Sequence, residues 1–276
     1  MSARAGLRAA GLGYLLALLA LPVGMIFYRT FEHGLGPVWD KLTEPGALHA
    51  LYLTLLMVAV AVPLNTVFGI ACAFVLVRQR FRGRRLLDAV LDLPFAVSPV
   101  VVGLALFLLY GRTGWFGSWL ASNGISVIFS PLGMILATVF VSLPFVAREV
   151  APVLREIGTE QEEAAATLGA SRWQTFWRVT LPAIRWGVGY GVVLTTARAL
   201  GEFGAVSVVS GHLAGQTETL PLLVQARFED FDSTGAYAAS ALLAALALLA
   251  LAVATRAGRR RQGGGPVLQA TQGAAA

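Results

Sequence analysis

Six stretches of this chain are almost purely apolar, at about 9–28, 51–77, 93–111, 131–147, 186–209 and 235–255, and only the fifth carries a charged pair. Each approaches or exceeds the roughly 20 residues that a helix needs to cross a bilayer with some tilt. The pattern predicts an all-α polytopic membrane protein with six transmembrane helices. Pro and Gly inside the runs do not count against helices in lipid, because neighbouring groups re-satisfy the freed backbone. The first run follows Arg4 and Arg8 like a signal peptide, but at about 20 residues it is long for a signal h-region and reads as a retained helix.

Composition agrees: 57% of the 276 residues are hydrophobic and 13% charged, against about 25% charged in ordinary soluble domains. Cys72 is the only cysteine, which excludes an internal disulfide and a thiolate zinc site. His33, His49 and His212 are scattered at the ends of apolar runs and receive no role.

The net charge of +6 is carried almost wholly by arginine, and its placement is informative. Arg4 and Arg8, then Arg78, Arg80, Arg82, Arg84 and Arg85, then Arg148, Arg155, Arg172, Arg178 and Arg185, and finally Arg256, Arg259, Arg260 and Arg261 all fall on one side of the six spans. Arg29, Lys41, Arg112 and Arg227 fall on the other, and Arg198 lies within the fifth span. The positive-inside rule puts both termini and the polar 148–185 segment in the cytoplasm. Topology and contact with anionic membrane lipid account for the basic clusters, so no nucleic-acid partner is called for. The Gly-rich end, 256–276, reads as a basic, disordered cytoplasmic tail.

The most polar long segment needs its own explanation. Glu160 to Leu168 is a helix candidate, with Glu160, Glu162 and Glu163 in its first turns where the helix dipole favours carboxylates. It should stop at Gly169. Ser171 is a good N-cap for a second helix in which Trp173, Phe176, Trp177 and Leu181 share a face suited to the membrane interface. Pro182 is expected to break that helix before the fifth span rises. Three small residues behind Glu163 leave a surface of little bulk that fits a groove in another protein.

Glu163-Ala164-Ala165, three residues, Gly169, nine residues and Val179-Thr180-Leu181-Pro182 resemble the EAA motif of permease subunits of ATP-binding-cassette importers, with Val179 where the family most often has Ile. The segments 62–104, 143–182 and 197–211 look like the sulfate/thiosulfate branch, over about residues 50–255. The wording Ala96-Val97-Ser98-Pro99 and Val206-Ser207-Val208-Val209-Ser210-Gly211 favours that branch over molybdate/tungstate permeases, which are the alternative. The resemblance implies a type I importer permease fold, with an N-terminal helix and periplasmic loop at 1–50 and the permease domain at 51–255. It implies a coupling helix that docks on a separate ATPase through Glu163, Ala164, Ala165, Thr167, Leu168, Gly169 and Ser171, backed by Leu181 and Pro182. The partners it implies are a homologous second permease, two ATP-binding subunits and a periplasmic sulfate-binding protein, in the bacterial inner membrane. ATP and Mg would then belong to the partner ATPase and no cofactor to this chain. The residues agree, since a Walker A loop needs Lys followed by Ser or Thr, and Lys41 is followed by Leu42.

Arg198 and Glu202 lie four apart within an apolar run, where an unpaired charge costs about 2.5–3.5 kcal/mol, so a pair is expected. Two readings stand: a guanidinium on the path of the translocating dianion, or a neutralised pair that fixes packing. Gly187, Gly189 and Gly191 have the wrong spacing for a dinucleotide fingerprint and read as close helix packing. A channel or secondary carrier is the rival class; neither needs an EAA loop, and no inverted repeat is visible.

Overall fold

The computed structural model describes the backbone of residues 3–259, and every regular element within it is helical. The first span is α1 (Ala3–Leu15), a π-helical turn at Leu16–Ala20, and α2 (Leu21–Phe31). Next come α3 (Leu35–Thr43) and the long second span α4 (Pro45–Arg78), followed by α5 (Arg84–Ala96), α6 (Pro99–Tyr110) and the short α7 (Gly117–Ser122). The fourth span is α8 (Pro131–Ser142) with α9 (Pro144–Glu156). The polar segment forms α10 (Glu160–Thr167), α11 (Arg172–Thr175) and a π-turn at Phe176–Thr180. It leads into α12 (Leu181–Leu200), α13 (Gly204–Ser210), α14 (Leu220–Glu229) and α15 (Ser233–Arg259). The expected tail begins inside α15, and 260–276 lies outside the described residues.

Four stretches are long and apolar enough to cross a membrane: Gly6–Phe31, Pro45–Arg78, Pro131–Glu156 and Ser233–Val253. The third and fifth spans depart from the straight helices that hydropathy suggested. α5 and α6 meet at 110°, and the helix running from Arg172 to Leu200 meets α13 at 50°. The third span breaks because Ser98 precedes Pro99, which disfavours helical backbone; Val97 and Ser98 are extended at ψ 133° and 135°. Pro182, by contrast, does not break its helix. The five-residue π-turn directly before it widens the backbone, Leu181 N–H reaching back to Phe176 O, so the missing proline N–H is absorbed and the helix runs on into the fifth span.

The inner half of the bundle is held by backbone-level contact among α4, α9 and α12. A Cβ on Gly69 would lie 2.6 Å from the Val146 Cβ, one on Gly191 2.8 Å from the Val146 Cα, and one on Gly187 2.9 Å from the Glu149 carbonyl oxygen. The glycines therefore admit Val146 from both sides, as small residues do where membrane helices approach closely. Gly189 faces open space, so only two of the three glycines do this work. Around them Ala73, Val146, Val150, Ala151, Leu154 and Ile184 form one buried cluster. The outer half has its own core, with Leu53 and Met57 of α4 packed against Val102, Met134, Ala137, Val206 and Val209. There the two broken spans meet: a Cβ on Gly103 of α6 would lie 2.6 Å from the Ala205 carbonyl, and one on Gly204 3.0 Å from the Pro99 Cβ. Asn65 of α4 donates to Val139 O (3.0 Å) and Ser142 Oγ (2.8 Å) of α8, a polar tie across lipid-embedded helices.

At the outer end, four charges join α3, α4, α14 and α15. Lys41 Nζ lies 3.2 Å from Glu44 Oε1 and 2.9 Å from Asp232 Oδ2, Arg227 Nη1 lies 2.6 Å from the same Asp232 oxygen, and Arg227 Nη2 meets Glu44 Oε2. The Arg227 hydrogen bond, helped by Lys41, holds the Glu44 carboxyl below its ordinary range. Burial pushes Asp232 up, but hydrogen bonds from Lys41, Arg227 and the Gly235 N–H together outweigh it, so its carboxyl is also depressed. Carboxyls depressed on folding stabilise the fold above their unfolded pKa values, near 4, and that contribution disappears as pH falls through the lower folded values. Acidification from pH 6 to about pH 3 should therefore lower the amide protection factors, taken relative to the slower intrinsic exchange at acid pH, in α3 and at the start of α15. Asp232→Asn should show faster exchange already at pH 6 and a smaller further change on acidification; an unaltered pH response in that variant would remove the cluster from the account.

Candidate functional site: the polar loop between the fourth and fifth spans

The polar segment folds as two short helices reversed by a four-residue turn. α10 ends where expected: Gly169 has φ +83°, its N–H donates to Ala166 O at 3.0 Å, and Ala170 N–H donates to Ala165 O at 3.0 Å. This is a Schellman closure, with glycine at the left-handed position. Ser171 then caps α11 reciprocally, accepting from Gln174 N–H at 3.3 Å while its own N–H donates to Gln174 Oε1 at 2.9 Å. The turn is thus fixed by hydrogen bonds at both flanks.

The predicted residues divide by position. Glu163, Ala164, Thr167, Leu168, Gly169 and Ser171 are exposed and cluster around α10 and its turn, with Leu168 the most prominent at 88% exposure; Ala165 is half-buried. Leu181 and Pro182 stand apart, in the first turn of α12 beyond the π-turn. Glu163 Oε1 accepts from Thr159 Oγ1 at 2.7 Å, which steadies the start of α10. Trp173 and Trp177 are exposed at 70% and 50%, and their rings meet at 5.4 Å, while Phe176 between them packs edge-on to Phe74 of α4. An apolar ring face with a polar N–H suits the membrane–water boundary.

Sequence reasoning missed the residue that ties this loop down. The Arg78 guanidinium, at the last residue of α4, donates from Nε to Glu162 Oε2 (3.1 Å), from Nη2 to Glu162 Oε1 (3.2 Å) and to Gly158 O (2.5 Å), and from Nη1 to Leu154 O (3.0 Å). Thr180 Oγ1 of the π-turn donates to the same Glu162 oxygen at 3.0 Å. The side chains are only 10% and 18% exposed. Leu154 belongs to the last turn of α9, whose carbonyls lack helical partners, so the guanidinium also caps that helix. Counting arginines for topology treats Arg78 like its four neighbours, and only the fold distinguishes it. Arg148 plays a related part in α9: it lies 2.8 Å from Asp88 Oδ1 and 2.6 Å from Asp92 Oδ1, clasping α5 to the bundle.

The intramembrane pair forms, with one correction. Arg198 lies in the last turn of α12, but Glu202 lies in the break between α12 and α13 rather than in the same helix. Glu202 is 2% exposed; its Oε1 accepts the Ala205 N–H at 2.9 Å, serving the first turn of α13, and its Oε2 lies 2.6 Å from Arg198 Nη1 in an off-axis approach. The Arg198 side chain remains 30% exposed. Among the described residues no group of three His, Cys, Asp or Glu could hold a metal ion.

Comparison with known proteins accords with this geometry. Residues 65–262 match the family described as binding-protein-dependent transport system inner membrane component. The chain is 55% identical over 243 residues to the sulfate transport system permease protein CysW of Synechocystis, covering 88% of each chain. It is 49% identical to CysW of Escherichia coli K12, covering 87% of this chain and 84% of that one, and 44% identical to CysT of the same organism, covering 88% and 89%. Among solved structures, a chain of a bacterial alginate ABC transporter complexed with its pentasaccharide-bound periplasmic protein superposes with TM-score 0.75 over 92% of this chain, at 18% identity, which speaks to fold alone. A multi-pass helical bundle, a preformed cytoplasmic loop and these likenesses converge: the chain belongs to the family of binding-protein-dependent inner-membrane transport components.

Proposed function

We propose that this chain is the membrane-spanning, non-catalytic permease subunit of an ATP-driven importer that carries sulfate and thiosulfate into the cytoplasm. What carries the reading is the coincidence of near full-length identity to sulfate permeases with a coupling loop already folded and facing outward. A second, homologous permease, two ATP-binding subunits and a periplasmic sulfate-binding protein complete the assembly. ATP and Mg act at the ATPase. Nucleotide-driven closure of the ATPases moves α10, and the permease pair passes between inward-open and outward-open states, a two-state element biased by differential affinity. Glu163, Ala164, Thr167, Leu168 and Gly169 form the surface that docks in the ATPase groove.

On the translocation path the structure favours a divided role for the charged pair. Glu202 is committed to the α13 N–H and to Arg198, so it positions; Arg198, still partly exposed, keeps N–H donors free for a passing dianion. A single guanidinium already neutralised by Glu202 attracts the anion without trapping it. Tight binding would defeat release.

Three outcomes test this. Restoring the chain to cells that lack it should return radiolabelled sulfate uptake that excess thiosulfate blocks and trace molybdate does not; block by trace molybdate would move the substrate to that oxyanion. Gly169→Val puts a branched side chain at φ +83°, costing about 1–2 kcal/mol locally. It should lower uptake about tenfold with insertion and ATPase binding retained, and normal uptake would remove the docking role of the turn. Arg198→Gln should abolish uptake while the complex still assembles, with Arg198→Lys retaining part of it; loss of assembly in both would make the pair purely structural.

A further inference from the structure

Transport requires more than docking. If α10 flexed on its tethers, the ATPase would move the loop and leave the spans where they were. α10 joins the bundle covalently through Gly158-Thr159 on one side and the Leu168–Ser171 turn on the other, and Gly158 and Gly169 both sit at positive φ (+62° and +83°) with open space around them. The Gly158-Thr159 flank is the compliant one, since the other is closed by the Schellman turn and the Ser171 cap. A cleft of about 590 Å³ separates α10 from the base of α4, so direct packing there is incomplete.

The Arg78–Glu162 contact bridges that gap. One guanidinium joins the end of α4, the last turn of α9, the Gly158 hinge carbonyl and α10, while Thr180 brings in the π-turn that continues into α12. The three spans so connected are the ones already locked at Gly69, Val146 and Gly191. Arg78 is suited to this as lysine is not, since its planar fork makes several directed bonds at once, and its partners are mostly shielded from water, where charge-assisted bonds are strongest.

We propose that Arg78 and Glu162 are the positioning pair that transmits motion of the coupling helix to the bundle, making α10 move as one body with α4, α9 and α12. Glu162 and Glu163, adjacent in sequence, both line this cleft, but only Glu162 reaches Arg78, while the more exposed Glu163 accepts from Thr159 at the start of α10. The inference rests on the coupling role given to α10 above.

The test uses the complete complex in proteoliposomes, with sulfate uptake and ATP hydrolysis measured side by side. Glu162→Gln keeps the shape and removes the charge. It should assemble normally and hydrolyse ATP near the wild-type rate, while anions transported per ATP fall about tenfold, within the usual span of coupling energies. Arg78→Lys should assemble and restore only part of the ratio, because it cannot span Glu162 and both carbonyls. An unchanged ratio, or uptake and hydrolysis falling together, would overturn the proposal. Spin labels at Gln161 of α10 and Arg185 of α12 in a Cys72→Ala background give a second reading that does not depend on transport. A single narrow distance in the otherwise unaltered chain that broadens in Glu162→Gln supports the latch, and equal widths refute it. Absence of ATP-dependent uptake by the unmutated complex would count against the importer reading itself, and the distance measurement would still decide the latch.

Discussion

The fold depends on Val146 being held between two glycines. Gly69 and Gly191 bring α4 and α12 so close to α9 that no Cβ fits at either position without displacement, and in a lipid environment such contact replaces the hydrophobic driving force that soluble helices use. Because this packing is backbone to backbone, it has few soft modes: a force on one of the three helices reaches the others without rotamer rearrangement. The peripheral helices of the cytoplasmic half are attached to this unit. α10 hangs from it through Arg78, and α5 is clasped to it through Arg148.

α4 extends that rigidity across the membrane. Its 34 residues make it about 50 Å long, and it contributes Ala73 to the inner core and Leu53 and Met57 to the outer one. Ion pairs fix it at both ends, Arg78 with Glu162 inside and Glu44 with Arg227 outside. In contrast, the third and fifth spans are broken midway and meet each other at Gly103, Ala205, Pro99 and Gly204. A continuous, doubly anchored helix beside two broken spans gives the bundle both a part suited to transmitting displacement and parts suited to changing shape, which the alternating-access cycle proposed above calls for.

Much of this was legible in the chain because it is written in local chemistry. Apolar run length gives the spans, arginine placement gives the side, and Gly169 and Ser171 announce the turn, since the conformations required there are ones that few other residues adopt cheaply. What escaped is non-local. The effect of Pro182 depends on whether a π-turn forms below it; the same residue type at Pro99 ends a helix, and hydropathy is blind to the difference. Glu202 looked like an i,i+4 partner on one helix because Arg198-x-x-x-Glu202 has the right spacing, yet the chain leaves the helix at Gly201 and the pair closes across the break. Arg78 could not be told from Arg80 or Arg82 by charge, because its importance comes from carbonyls 76 and 80 residues away in sequence.

On the proposed function, the polar loop in an otherwise apolar chain follows from one requirement: a mobile partner must push on the membrane bundle through a segment that lies outside lipid. Small residues let that segment enter a groove, but small residues alone cannot hold it to the bundle, since three alanines bury little area. The hold is polar and shielded, and therefore strong: Arg78 ends a transmembrane helix and meets the Glu162 carboxylate, the helix-end Leu154 carbonyl and the Gly158 carbonyl of the connecting turn beneath the loop. A purely apolar attachment would have made the same surface a site for lipid and would have tied α10 to the membrane plane rather than to α4. On that reading the carboxylates, the glycines and the aromatic anchors of the segment are parts of one device, in which docking, attachment and membrane placement fall to different side chains within about twenty residues.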